Sequence, residues 1–163
     1  MLQKKICILG PTGVGKTSLI KQYVEGIFSE KYLSSIGVKI DKKIVKSSFT
    51  PVQLMIWDLE GIDRYCGFNP RYLRGASGLI IVIDQTRFSS LGEAMEIYGL
   101  CKAEVDVPII LAINKTDLPV SITWDDAVLS MHSSRFDDVY LTSAKTGQDV
   151  DKVFNALAGL MLS

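Results

Sequence analysis

Residues Gly10–Thr17 read GPTGVGKT, a complete G-x-x-x-x-G-K-[ST] pattern set directly after the apolar run Ile6, Cys7, Ile8, Leu9. A buried strand that ends there and a helix that begins near Lys16 leave a short glycine-rich turn between them. Its successive backbone N–H groups can face inward around an anion. Lys16 and the Thr17 hydroxyl then stand where β- and γ-phosphates and Mg²⁺ would be met. The pattern ties a strand–loop–helix unit to a nucleoside triphosphate.

The base is addressed much further along. Asn114, Lys115, Thr116 and Asp117 form N-K-x-D after a second apolar run, Val107 to Ile113. At a strand end the Asp117 carboxylate can accept from both the ring N–H and the exocyclic amino group of guanine. Adenine offers no such pair of donors and would leave a carboxylate unpaired. Four residues alone are a weak signal, but these fall about 100 residues after a phosphate loop within one small chain.

Strand-like runs recur at Lys4–Leu9, Leu54–Trp57, Leu79–Asp84, Ile109–Ile113 and Val139–Leu141. Helix-length segments lie between them, near Lys16–Gly26, Ser89–Ala103, Trp124–His132 and Val150–Leu162. Continuous apolar strands such as Leu79–Ile83 suit a parallel sheet covered on both faces. An extra pair, Val38–Val45 and Val52–Trp57, is joined by a polar turn and predicts one antiparallel edge strand. The ligand belongs at the carboxyl ends of the strands, where both motifs stand. With 163 residues, 47% of them apolar, the chain is expected to form a single domain over 1–163.

Lys plus Arg and Asp plus Glu both number 18, so net charge gives no reason to expect nucleic acid or general attraction to acidic membranes. Cys7, Cys66 and Cys101 have no C-x-x-C spacing, which favours free thiols in a reducing compartment, and a cytoplasmic location is expected. His132 is remote in sequence from every motif.

Three further stretches complete a pattern. Tyr32-Leu33-Ser34-Ser35-Ile36-Gly37 and Trp57-Asp58-Leu59-Glu60-Gly61 look like two nucleotide-sensing switches. Thr142-Ser143-Ala144-Lys145 looks like a last base-contacting loop, and Tyr72-Leu73-Arg74-Gly75-Ala76 stands at a characteristic spacing from Trp57. Together these motifs resemble the Ras-like small GTPases, most closely the Rab branch, over nearly the whole chain. The resemblance implies an α/β, three-layer P-loop NTPase fold with a six-stranded, mostly parallel sheet, one antiparallel edge strand and about five helices. It also implies a GTP/GDP-binding molecular switch that hydrolyses GTP and signals through residues 27–40 and 58–76.

The resemblance further implies roles at this chain's own positions. Gly13, Val14, Gly15, Lys16, Thr17 and Ser18 would surround the phosphates, and Gly61 would donate its N–H to the γ-phosphate. Thr17 and Ser35 would ligate Mg²⁺, with Asp58 holding it through a water. Phe28 would lie against guanine beside Asn114, Lys115 and Asp117, with Ser143, Ala144 and Lys145 closing the base site; the Ala144 N–H would meet the base oxygen. Ile40, Trp57 and Tyr72 fall where Rab proteins keep a hydrophobic triad for effectors. The alternative for these three is half-buried core. Exchange and activating proteins would act through the same switches; oligomeric state is not indicated.

The departures from the family pattern matter as much. Ile62 stands where most members carry a Gln that orients the attacking water, so Lys16 and Gly61 are left as the expected catalytic contributors and hydrolysis is expected to be slow. Glu60 replaces a small residue and places a carboxylate near the γ-phosphate, to be offset by Mg²⁺, Lys16 or Arg64. Thr12 narrows the space in which a partner's arginine would act, and Ser35 replaces Thr, losing the stiffness of a β-branched side chain. The last residues, Gly159–Ser163, hold neither a basic tail nor a cysteine, so no lipid anchor is expected in this chain. Two alternatives stay open at this point: a GTP-binding interaction module with almost no hydrolysis, and a G domain cut from a larger Roc-type regulatory protein.

Overall fold

Ile6–Leu9, Leu79–Ile83 and Ile109–Ile113 hold scarcely any solvent-exposed surface, as strands covered on both faces must. They belong to β1 (Leu2–Leu9), β4 (Ala76–Asp84) and β5 (Ile109–Asn114), which together with β2 (Val38–Lys46), β3 (Pro51–Leu59) and β6 (Asp138–Leu141) form one six-stranded sheet. Its order is β2-β3-β1-β4-β5-β6. Every neighbouring pair is parallel except β2 with β3, so the antiparallel strand lies at the edge as expected. The computed structural model describes residues 2–28, 38–46, 50–59, 69–120 and 134–162.

Three α-helices occur among the described residues: α1 (Lys16–Glu25), α2 (Ser89–Glu104) and α3 (Val150–Leu162). A 3-10 turn at Pro70–Leu73 precedes β4. The expected count of about five is thus lowered to three in the described part; the segment expected as a helix at Trp124–His132 lies outside it.

Strand side chains alternate between two cores, as the two-residue repeat of a strand requires. Ile6, Ile8, Ile80, Val82, Ile110 and Ala112 face one core with Leu19, Ile20 and Tyr23 of α1 and Val153, Phe154 and Leu157 of α3. Cys7, Leu9, Leu79, Ile81, Ile83, Leu111 and Ile113 face the other with Leu91, Ala94, Ile97 and Cys101, the inner face of α2. The rings of Tyr23 and Phe154 stack at 3.9 Å and bind α1 to α3. Each fully buried side chain of this size contributes about 1.5–3 kcal/mol. Burial also pushes the Cys7 and Cys101 thiols up to about 12, so both are inert packing groups.

Because β1, β3, β4, β5 and β6 run parallel, their carboxyl ends lie on one side of the sheet. The loops that leave them converge there. No helix among the described residues is long and apolar enough to cross a membrane.

Candidate functional site

The loop between β1 and α1 is shaped by two close approaches. A side chain on Gly10 would meet the Val82 carbonyl oxygen of β4 at 2.3 Å. One on Gly15 would meet the Asn114 side-chain nitrogen at 2.6 Å, at a φ of +97° that side chains disfavour. The loop therefore lies flat against the ends of β4 and β5. Lys16, 3% exposed at the start of α1, is drawn back over the loop and donates from Nζ to the carbonyls of Gly10 (2.9 Å) and Pro11 (3.1 Å). This sets a buried cation against the loop, a charge suited to an anion such as phosphate. Ser18 sits half-buried in the first turn of the helix.

Beside this cradle the Thr17 hydroxyl donates to Oδ2 of Asp58 at 2.6 Å. Asp58, near the end of β3, is 1% exposed, and its Oδ1 is buried with no hydrogen-bond partner among the described residues. Burial raises the Asp58 carboxyl above its ordinary value, against the Thr17 hydrogen bond and the field of Lys16. An orphaned oxygen on a desolvated carboxylate fits a divalent cation or its bound water. No cluster of three His, Cys, Asp or Glu side chains occurs among the described residues, so a cation here would draw on the hydroxyl, this carboxylate and the ligand's own phosphates, as Mg²⁺ commonly does.

The base-loop residues meet the phosphate loop directly. Asn114 is 1% exposed; its Nδ2 donates to the Val14 carbonyl (3.0 Å), and its Oδ1 accepts from the Thr142 hydroxyl (3.1 Å) and the Ala144 N–H (3.2 Å). The Asn114 amide thus ties three loops together, and the Ala144 N–H, expected toward the base, faces Asn114. Lys115 adopts a left-handed conformation, φ 68°, unusual for a residue with a long side chain. That turn sends its ammonium across to the Gly13 carbonyl (2.8 Å) and the Asp84 carboxylate (3.0 Å). Asp117 is exposed, and the buried Ser143 hydroxyl donates to its Oδ1 at 2.7 Å, fixing the carboxylate's direction.

Lys16, Thr17, Asp58, Asn114, Lys115, Asp117, Ser143 and Ala144 are thereby gathered in one continuous cluster. Phe28, 38% exposed, follows α1, and Lys145 is exposed on the last loop. Ser35, Gly61 and Ile62, with Glu60, lie outside the described residues. Several contributors were not apparent from sequence: Asp84, the acceptor for Lys115; Gln22 of α1, which donates to the Ala144 carbonyl (2.9 Å); and Thr116, whose hydroxyl donates to the Thr142 carbonyl (2.8 Å). A charged residue closing the apolar run of β4 was the available signal for Asp84.

On the sheet face away from α1 and α3, Ile40 stands opposite Trp57 in the β2–β3 register. Ile40 is 45% and Tyr72 38% exposed, which removes the half-buried core reading for these two, while Trp57 is half-buried. The Lys5 ammonium lies 3.8 Å from the centroid of the Trp57 ring and donates to the Arg74 carbonyl (2.7 Å), joining strand and turn.

Comparison with known proteins places this arrangement. The Ras family model matches residues 5–163. The chain is 35% identical to Ras-related protein Rab-1 of Theileria parva, over 94% of this chain and 72% of the relative. It is 33% identical to Ras-related protein Rab-13 of Mesocricetus auratus, over 94% and 77% of the two chains. With Ras-related protein Rab-7b of Homo sapiens it shares 32% identity, over 98% and 82%.

Proposed function

The chain belongs to the Ras family, in its Rab branch, and from that premise we propose how its residues bind and turn over the nucleotide. It is a small GTPase, a molecular switch that hydrolyses GTP, and its relatives' match along most of its length favours this over an interaction module or a Roc-type fragment. Members of the family bind GTP and GDP and work through effectors, exchange proteins and activating proteins.

The proposal rests above all on the direct joining of the phosphate loop to the base loop through Asn114 and Lys115. Residues Gly13 to Ser18 hold the phosphates, with Lys16 leaving the Gly10 and Pro11 carbonyls to pair with phosphate oxygens. Asp117, oriented by Ser143, accepts from guanine; Lys115 and Phe28 flank the ring, and Ala144 and Lys145 close the loop around it. Thr17, Asp58 and Ser35 would hold Mg²⁺, which when bound neutralises charge on the β- and γ-phosphate oxygens. In hydrolysis, Lys16 and the Gly61 N–H stabilise the charge that develops as the terminal phosphoryl group leaves. Ile62 contributes no hydrogen bond to the attacking water, so turnover by the chain alone is slow. Ile40, Trp57 and Tyr72 form the effector patch, and the single domain extends over 1–163.

The test is competition for the protein loaded with a fluorescent GDP in Mg²⁺. GTP and GDP displace the probe at stoichiometric excess, whereas ATP at a thousandfold excess does not. Equal displacement by ATP would refute the assignment of the base site.

A further inference from the structure

Three consecutive carbonyls of the phosphate loop each accept from a side chain outside it. Arg87 Nη2 donates to Thr12 (2.8 Å), Lys115 Nζ to Gly13 (2.8 Å) and Asn114 Nδ2 to Val14 (3.0 Å). In a planar trans peptide the N–H points opposite to the C=O. Holding these carbonyls outward therefore turns the N–H groups of Gly13, Val14 and Gly15 the other way, into the cradle. Asn114 and Lys115 belong to the base motif; Arg87 belongs to no motif.

We propose that Arg87 is a positioning residue of the phosphate site, acting through the Thr12 carbonyl to hold the Gly13 N–H toward bound phosphate; this rests on the nucleotide-binding reading above.

Both ends of Arg87 are held. Its own N–H donates to the Asp84 carbonyl (3.0 Å), and its carbonyl accepts from the Ser90 N–H (3.1 Å) and from the fully buried Ser90 hydroxyl (2.6 Å). Its guanidinium Nε also lies 3.4 Å from Oδ2 of Asp84, the same oxygen that Lys115 approaches at 3.0 Å. One carboxylate, 3% exposed, thus anchors two cations that grip adjacent loop carbonyls. The restraint falls where the loop needs it. Gly13 has φ +82° with open space around its α-carbon, so it can take up the rotation by which the Thr12–Gly13 peptide would flip. Losing Arg87 removes the hydrogen bond on the Thr12 carbonyl, and a flip of that peptide would turn a carbonyl oxygen toward the phosphates.

The experiment compares wild type, Arg87→Ala and Arg87→Lys as full chains loaded with fluorescent GDP or with a non-hydrolysable fluorescent GTP analogue in Mg²⁺. Dissociation rates, guanine-over-adenine preference and urea midpoints are read for each. Arg87→Ala should speed dissociation of both nucleotides about five- to tenfold, the scale of one charge-assisted hydrogen bond partly open to solvent. Base preference should be unchanged, and Arg87→Lys, which reaches the carbonyl but cannot also fork to Asp84, should recover part of the loss. Combined with Asp84→Ala, the Arg87→Ala effect should be less than additive. Wild-type dissociation in Arg87→Ala, or a shift confined to the urea midpoint, would overturn the proposal. Failure of wild type to retain guanine nucleotide would instead overturn the binding assignment on which it stands.

Discussion

Asp84 is a single carboxylate on which much of the site leans. Its Oδ1 accepts from the Thr86 N–H (2.9 Å) and hydroxyl (2.7 Å), and its Oδ2 faces Lys115 and Arg87. Burial opposes its ionisation most, but the Thr86 hydrogen bonds and Lys115 outweigh this and hold the carboxyl below its ordinary value of 3.8. A carboxyl depressed in the folded state adds stability that is fully present above the unfolded value and is lost as pH falls through the folded one. Asp84→Asn should therefore cost about 1–2 kcal/mol at neutral pH, since its partners are partly exposed. In urea titrations the gap to wild type should stay constant from pH 7 to about 5 and close below about 4. A gap that widens on acidification would contradict the sign of the effect.

At the scale of elements, β1, α1 and α3 form the mechanical support of the phosphate loop. Phe154 of α3 is fully buried and stacks on Tyr23 of α1, whose first residue is Lys16. Phe154→Ala leaves a ring-sized cavity beneath that helix and should cost about 3–5 kcal/mol in urea unfolding of the GDP-loaded protein. A loss under 1 kcal/mol would mean that the helix is held by other contacts. These elements were legible because their signals are repetitive. The apolar run of Leu79–Ile83 requires a strand covered twice, and the expected strand at Lys4–Leu9 is found at Leu2–Leu9, differing only where the chain is exposed. The motif residues were legible because the chemistry of phosphate and guanine fixes residue types at fixed spacing. Arg87, Gln22 and the left-handed turn at Lys115 were not. Each takes its meaning from a neighbour distant in sequence: the sheet order, with β4 between β1 and β5, brings the partners of Arg87 and Lys115, and the loop after β6 brings that of Gln22; lysine, moreover, is not a residue that announces a positive φ.

For the molecule as a whole, a switch needs a nucleotide site coupled to a surface. The structure places Asp58 beside Thr17 near the end of β3 and Trp57, its immediate neighbour, on the opposite sheet face, with Ile40 across from it on β2. On the function proposed above, the alternation of a strand sets a carboxylate of the nucleotide site beside an aromatic of the effector patch. The rate of such a switch depends on what positions water at the γ-phosphate, and on the function proposed above Ile62, in place of a hydrogen-bonding side chain, would make this chain a slow timer unless a partner supplies the group. The most direct measurement is single-turnover hydrolysis of GTP by the wild type and an Ile62→Gln variant, each preloaded and started with Mg²⁺. The account predicts measurable but slow conversion to GDP by the wild type and a rate about tenfold or more higher in the variant. An equal or faster wild-type rate would show that another group orients the water, and would contradict the claim that position 62 limits turnover.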